Sequence, residues 1–154
     1  MVTQMQADQV PIIPDLMELD SRGTHLIGTR CKSCRELYFP STITCRNPVC
    51  DKGDLESTRL ASSGTLFSYT IQYYQPPPLF RADNWQPYAI GLVDLDDGIR
   101  VSGILSGIAF EDIRIGERVI LGVLPLYIDD SGCQRMTHAF FKLDDTVNYP
   151  GVEQ

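Results

Sequence analysis

Polar and apolar positions divide the chain into three stretches. Pro14 is followed by Asp15-Leu16-Met17-Glu18-Leu19, with Gly23 beyond. An acid in the first turn and a glycine past the end predict a short helix in an N-terminal segment, 1–23. Residues 24–30 predict a strand leading into a first cysteine turn, and 36–39 a strand leading out. From Gly64 the period becomes two: Phe67, Tyr69, Ile71 and Tyr73 fall on one face, and Leu66, Ser68, Thr70 and Gln72 on the other. That alternation predicts a half-buried β-strand. A second strand is expected over 88–95, and Asp96-Asp97-Gly98 supplies turn chemistry for a tight hairpin into 99–105. A helical turn at 110–113, a strand over 117–128, a turn at 129–132 and a last strand over 133–142 complete the pattern. Gly91 and Gly103 interrupt two of these strands, and glycine there predicts the bulges and sharp bends that let a small sheet close on itself. Five such strands match a small Greek-key barrel of the OB type. The expected fold is therefore mainly β, with a short N-terminal helix. A cysteine-rich ribbon over 24–60 precedes a five-stranded OB-fold barrel over 61–143, and a loose acidic tail occupies 144–154.

The ribbon carries the one sharp motif. Cys31 and Cys34, then Cys45 and Cys50, are spaced C-x2-C, ten residues, C-x4-C. Each short pair offers two ligands from one turn, which is what a tetrahedral four-thiolate zinc site needs. The wider second pair stays within the spacing of about two to four residues such sites use. A redox C-x-x-C belongs at a helix start in a βαβ unit, whereas these flanks read as strand, turn and strand. Four thiolates around Zn2+ leave no open coordination position, so the metal is expected to be structural.

Composition narrows the function. No apolar run reaches about 18 residues, and 1–14 lack a basic stretch followed by an apolar one. A soluble, cytoplasmic protein is expected, without membrane contact, and a reducing compartment favours metal-bound cysteines over disulfides. The net charge of -7 opposes phosphate backbones, which argues against nucleic acid. Residues 30–59 invert the balance, with six basic residues (Arg30, Lys32, Arg35, Arg46, Lys52, Arg59) against four acidic ones. These cations either neutralise a dianionic metal centre or meet a phosphorylated ligand or an acidic partner.

Catalytic constellations are missing. His25 and His138 lie far apart, and Cys133 and His138, five apart on a strand, point to opposite faces. The turn carboxylates Asp94, Asp96, Asp97, Asp129 and Asp130 are explained by capping and solvation. No phosphate loop or dinucleotide fingerprint is present. One segment, 73–88, stands apart: three prolines stiffen it, and it carries Tyr74, Phe80, Arg81 and the sole tryptophan, Trp85. Its residue types are those of binding hot spots, and the other reading folds its aromatics back over an open barrel end.

Several stretches together resemble a known family. Leu26-Ile27-Gly28-Thr29-Arg30-Cys31-Lys32-Ser33-Cys34, Tyr38-Phe39-Pro40, the second cysteine pair, and Gly64-Thr65-Leu66-Phe67-Ser68-Tyr69-Thr70 come in order. Gln75-Pro76-Pro77-Pro78, the run from Pro87 to Arg100, and Ile115-Gly116-Glu117-Arg118-Val119 follow. This set, spanning about Leu16 to Lys142, resembles the zinc-ribbon/OB-fold family of acyl-CoA-associated proteins. The resemblance implies a rubredoxin-like ribbon on an OB barrel, in a non-catalytic accessory subunit. It also implies a hetero-oligomer with a thiolase-like enzyme, or with a thiolase-fold retro-aldolase, and a shared acyl-CoA site. Thiolase subunits of anaerobic toluene and benzylsuccinate breakdown are among the members it points to. Candidate partner or CoA contacts are Arg30, Lys32, Arg35, Arg46, Tyr74, Phe80, Arg81 and Trp85. The alternative of another class is an OB-fold protein binding single-stranded nucleic acid.

Overall fold

The computed structural model describes residues 8–51 and 53–144. Lys52 and the acidic tail beyond Asp144 lie outside the described residues. The strands are β1 (Gln9–Pro11), β2 (Met17–Asp20), β3 (Gly23–Cys31), β4 (Leu37–Tyr38), β5 (Leu55–Arg59), β6 (Ser63–Gln72), β7 (Tyr88–Leu95), β8 (Arg100–Ser106), β9 (Arg118–Ile128) and β10 (Gln134–Lys142). The last five close a barrel in the order β9-β6-β7-β8-β10, with β10 returning antiparallel to β9 and running parallel to β8. A 3-10 turn, Phe110–Asp112, lies on the crossover between β8 and β9. The expected five-stranded OB-type barrel is thus present.

In the ribbon, β3 is central. Its first half pairs antiparallel with β2 and its second half with β4 and β5. No separate interior divides the two parts. Met17, Leu26 and Leu60 from the ribbon side belong to one buried cluster with Leu66, Val93, Val119 and Phe140 of the barrel. Burial of each large apolar side chain contributes about 1.5–3 kcal/mol.

The expected N-terminal helix does not form. Residues 14–16 make a turn, Asp15 adopts a φ of 64°, and Met17–Asp20 is a strand paired with β3. A left-handed residue stops a helix before it can start. The short segment gains more by pairing Met17 with Leu26 and burying both.

β6 also differs from its simple alternation. A register shift between Leu66 and Ser68 lets Leu66 point into the core while Phe67 stays 47% exposed and Tyr69 38%. The Arg100 guanidinium stacks on Phe67 at 3.4 Å. Gly91 and Gly103 face each other in regular register, so they are not bulges. They make room instead: a Cβ at Gly91 would meet Leu105 and Leu66 at 2.8 and 2.9 Å, and one at Gly103 would meet Phe140 at 2.8 Å.

The turn carboxylates lock the ribbon to the barrel. Asp97 Oδ2 accepts the Ala61 N–H at 2.8 Å, just after β5. Asp96 accepts the Ser63 hydroxyl at 2.7 Å and the Arg118 guanidinium at 2.6 and 2.7 Å. The Arg118 guanidinium beside Asp96 holds its carboxyl below the usual carboxylate range.

Candidate functional site

The turns around β3 and β4 bring the four cysteines together. Cys31 ends β3, Cys34 follows one tight turn later, and the Arg35 N–H donates to the Cys31 carbonyl at 2.9 Å. All four sulfurs lie within 4.8 Å of one another. Cys31 and Cys50 Sγ are 3.7 Å apart, and Cys34 and Cys45 Sγ 3.6 Å. A Zn–S bond of about 2.3 Å gives a tetrahedral sulfur–sulfur edge of about 3.8 Å, which these distances match. They are far beyond the roughly 2.05 Å of a disulfide. Zn2+ therefore fits the site, held by Cys31, Cys34, Cys45 and Cys50 with every position filled. The ion would supply folding free energy to the ribbon rather than a reactive site.

The surrounding backbone prepares the thiolates. The Cys34 and Ser33 N–H groups aimed at Cys31 bring its thiol down to about 6. At Cys34 the Glu36 N–H works to lower the value, but burial and the neighbouring thiols win and push it up to about 11. The Tyr38 hydroxyl receives the Arg46 N–H at 2.8 Å, so its own proton is free to donate to Cys45 Sγ at 3.3 Å. That bond is the first cause of a lowered Cys45 thiol. Tyr38 thus orients one ligand in the manner of an outer-shell partner.

The candidate cations are spread around this core. Lys32 and Arg35 sit in the first cysteine turn and Arg46 in the second, all exposed, while Arg30 is half-buried on β3. Arg35 reaches Glu56 only loosely, at 3.9 Å. Arg35 lines a depression against the β7–β8 turn, and Arg46 lines another beside Tyr38. Arg35 has a φ of 67°, a left-handed conformation that glycine adopts without cost.

The proline segment divides its side chains. Tyr73 and Tyr74 are exposed, Tyr74 by 78%. Arg81 is engaged within the chain, its guanidinium stacked on Tyr127 at 3.8 Å and bonded to the Pro78 carbonyl. Phe80 and Trp85 fold back and line a cavity of about 650 Å3. Below them lie Ile90 of β7, Ile104 of β8, Leu124 of β9 and His138 of β10. The fold-back reading holds for Phe80 and Trp85, while Tyr73 and Tyr74 face outward. Sequence reasoning missed Ile13 and Leu16 as cavity residues and His138 as their neighbour, since only barrel closure brings them to the loop.

His138 is committed to structure. Its Nε2 donates to the Ser102 carbonyl at 2.7 Å, and Phe39 and Phe140 meet its ring edge-on. Burial lowers its pKa despite the raising effect of that carbonyl, so the ring is neutral at physiological pH. Among the described residues, no helix is long and apolar enough to cross a membrane.

Residues 24–56 match the model of the ChsH2 rubredoxin-like zinc ribbon domain, and residues 57–123 that of the ChsH2 C-terminal OB-fold domain. The chain is 30% identical over 132 residues to the benzoylsuccinyl-CoA thiolase subunit BbsA of Thauera aromatica, covering 84% of this chain and 86% of that one. It is 34% identical over 95 residues to a DUF35 domain-containing scaffold protein of Methanocaldococcus jannaschii. That match covers 61% of this chain and 64% of the relative, just under two thirds of its length. Among solved structures, the Ltp2-ChsH2(DUF35) aldolase aligns with a TM-score of 0.60 at 30% identity, over 77% of this chain and 84% of that one.

Proposed function

The chain belongs to the family of ChsH2-type zinc-ribbon/OB-fold proteins, and from that membership we propose that it is a non-catalytic subunit docked on a thiolase-type acyl-CoA enzyme. The carrying observation is the end-to-end likeness to a thiolase subunit: 84% of this chain aligns with 86% of that one. The name of the archaeal relative, a scaffold protein, points the same way. Docking uses the exposed Tyr73 and Tyr74 of the proline segment and the aliphatic tips of the ribbon, Ile43 and Val49. In this reading Arg30, Lys32, Arg35 and Arg46 face the phosphates of CoA at the shared site, by charge-assisted hydrogen bonds. Arg35 supports it in particular, because a non-glycine residue held left-handed costs on the order of 1 kcal/mol and is retained where its side chain is used. A partner in anaerobic aromatic breakdown accords with the BbsA likeness.

A second reading, with an aldolase as partner, rests on the 0.60 alignment to the Ltp2-ChsH2(DUF35) aldolase. The deciding experiment is co-expression of the chain with thiolase-type and aldolase-type enzymes encoded beside it, followed by size-exclusion chromatography. A stable complex with the thiolase type, and loss of acyl-CoA turnover when this chain is withheld, is the expected result. A complex with the aldolase type alone selects the second reading. No complex with either overturns the proposal.

A further inference from the structure

Strand β6 is paired along the whole of one edge and only the start of the other. β7 runs beside it from Gly64 to Gln72, whereas β9 pairs with it at Ser63, Gly64 and Thr65 alone. The turn before β9 extends that side by one residue: the Leu66 N–H donates to the Glu117 carbonyl at 2.9 Å, and the Gly116 N–H donates to the Leu66 carbonyl at 2.8 Å. There the chain turns off, with the Glu117 N–H donating to the Arg114 carbonyl.

The ladder fixes which backbone groups are left. Leu66 spends both of its groups away from β7, so its partner Val93 is a non-hydrogen-bonded position toward β6. β7 is regular against β8 from Ala89 to Asp94, so Gly91 and Ala89 are positions of the same kind. Their partners, Tyr69 and Ile71, therefore aim N–H and C=O at the open edge. No described residue pairs with them there. Paired residues also share a face. Ala89 is buried, and a Cβ at Gly91 would meet Leu66 and Leu105, so Tyr69 and Ile71 belong to the inner face. Ile71 packs on the core, yet Tyr69 is 38% exposed. The edge thus has both unpaired backbone and an inward aromatic with room for a neighbour.

The chain's own end is aimed along it. β10 is antiparallel to β9 and β9 to β6, so β10 travels in the direction of β6. The Leu143 N–H donates to the Arg118 carbonyl at 3.0 Å, and Arg118 lies opposite Thr65. One step further the chain draws level with Leu66, a single strand spacing of about 4.8 Å from the lane β9 leaves open, which two extended residues of about 3.3 Å each can cross. Counting on in register sets Thr146 beside Ser68, Val147 beside Tyr69, Asn148 beside Thr70 and Tyr149 beside Ile71. Apolar side chains then fall on the inner face and polar ones on the outer, the match that pins a register. Pro150 comes next, where the missing N–H ends the pairing.

We propose that residues 146–149 add to β6 as a parallel edge strand, with Val147 and Tyr149 covering Tyr69. The Asn148 N–H donates to the Tyr69 carbonyl, the Ile71 N–H to the Asn148 carbonyl and the Tyr69 N–H to the Thr146 carbonyl. The occupant of this edge is the chain itself, added as an extended peptide is added to any exposed sheet edge. An edge strand that stops at a proline also blunts pairing with other molecules.

Amide hydrogen exchange of the zinc-loaded, 15N-labelled full-length chain tests this. The Tyr69 and Ile71 amides should exchange about ten-fold or more slowly than in Asn148→Pro, which removes the central donor without touching the barrel. Nuclear Overhauser contacts should link the backbones of Tyr69 with Val147 and of Ile71 with Tyr149, and they stand as evidence without any variant. Unprotected amides in the unaltered chain, protection that survives Asn148→Pro, or absence of those contacts overturns the proposal. Protection that grows with protein concentration assigns the edge to a second copy and overturns it as well. The docking reading is untouched by any of these results, since no enzyme partner is present.

Discussion

The two halves of the molecule treat their apolar side chains in opposite ways. In the barrel, Val93, Val119 and Phe140 are fully buried in the common core. In the ribbon, Ile43 is 96% exposed and Val49 87%, on either side of the buried Cys45. A barrel of this size holds together by removing hydrocarbon from water. A loop tied by four thiolates does not depend on its hydrocarbon, because zinc-binding free energy is folding free energy there. Aliphatic side chains on such a loop are rigidly displayed and left available to a partner.

Zinc removal is the strongest way to test that contrast. Structural zinc contributes about 10–16 kcal/mol to modules of this kind, so a chelator or Cys45→Ser should abolish amide-exchange protection over 31–53. Protection in β7 and β8 should persist. Simultaneous loss in both halves would show that the ribbon and barrel are one cooperative unit. Phe140→Ala attacks the other side: a cavity in the core should cost about 3–5 kcal/mol in denaturant unfolding, with zinc content measured by atomic absorption unchanged.

The next effect is a pH response of the barrel. His138 is held neutral in the folded chain, with its pKa below 6.5, while an unfolded chain titrates near that ordinary value. Below pH 6.5 the unfolded state therefore binds a proton the native state does not, and stability falls as pH drops toward the folded value. The slope from one such group is at most about 1.4 kcal/mol per pH unit. The carboxyls of Asp94 and Asp96, held down by Arg100 and Arg118, contribute in the other window: their stabilisation is present above 3.8 and is lost only in stronger acid. Unfolding curves from pH 7 to 5 should flatten in His138→Gln, and an unchanged slope would assign the response elsewhere.

Arg35→Gly should give the smallest change in stability, because relief of about 1 kcal/mol of left-handed strain is offset by about 0.4–1 kcal/mol from the freer unfolded chain that glycine brings. Complex formation or acyl-CoA affinity measured by calorimetry should weaken in the same variant. A variant with full affinity would leave Arg35 without a role at the shared site.

What the sequence discloses follows the range of the interactions. The cysteine cluster is readable because each ligand pair is fixed within one turn. β7 is readable because turn residues bracket a regular alternation, and β9 and β10 because turn residues set off their long apolar-rich runs. β1, β2 and β5 are short, and their identity comes from partners elsewhere in the chain, as with Met17 against Leu26 or Leu55 against Cys31. The bulge in β6 between Leu66 and Ser68 is invisible in the alternation, because the extra residue is defined only against its partner β7. The cavity was the least legible feature. Trp85 and His138 carry no shared motif, and only closure of the sheet puts them around one space.

The pairing of β1 with β10 has a bearing on how the chain is made. Gln9–Pro11 lie beside Gln134–Met136, so the first described strand to leave the ribosome finds its neighbour only when the last has emerged. Such distant pairings form slowly, because a long loop must close before they repay its entropy. The ribbon's own pairings, among β2 to β5, are local by comparison. A nascent chain can therefore take up zinc while its barrel is still open. Ile13 and Leu16, just past β1, are held at the cavity by that final pairing. Metal loading and barrel closure thus arise at different times in the life of one molecule, and a prematurely terminated product would possess the former without the latter.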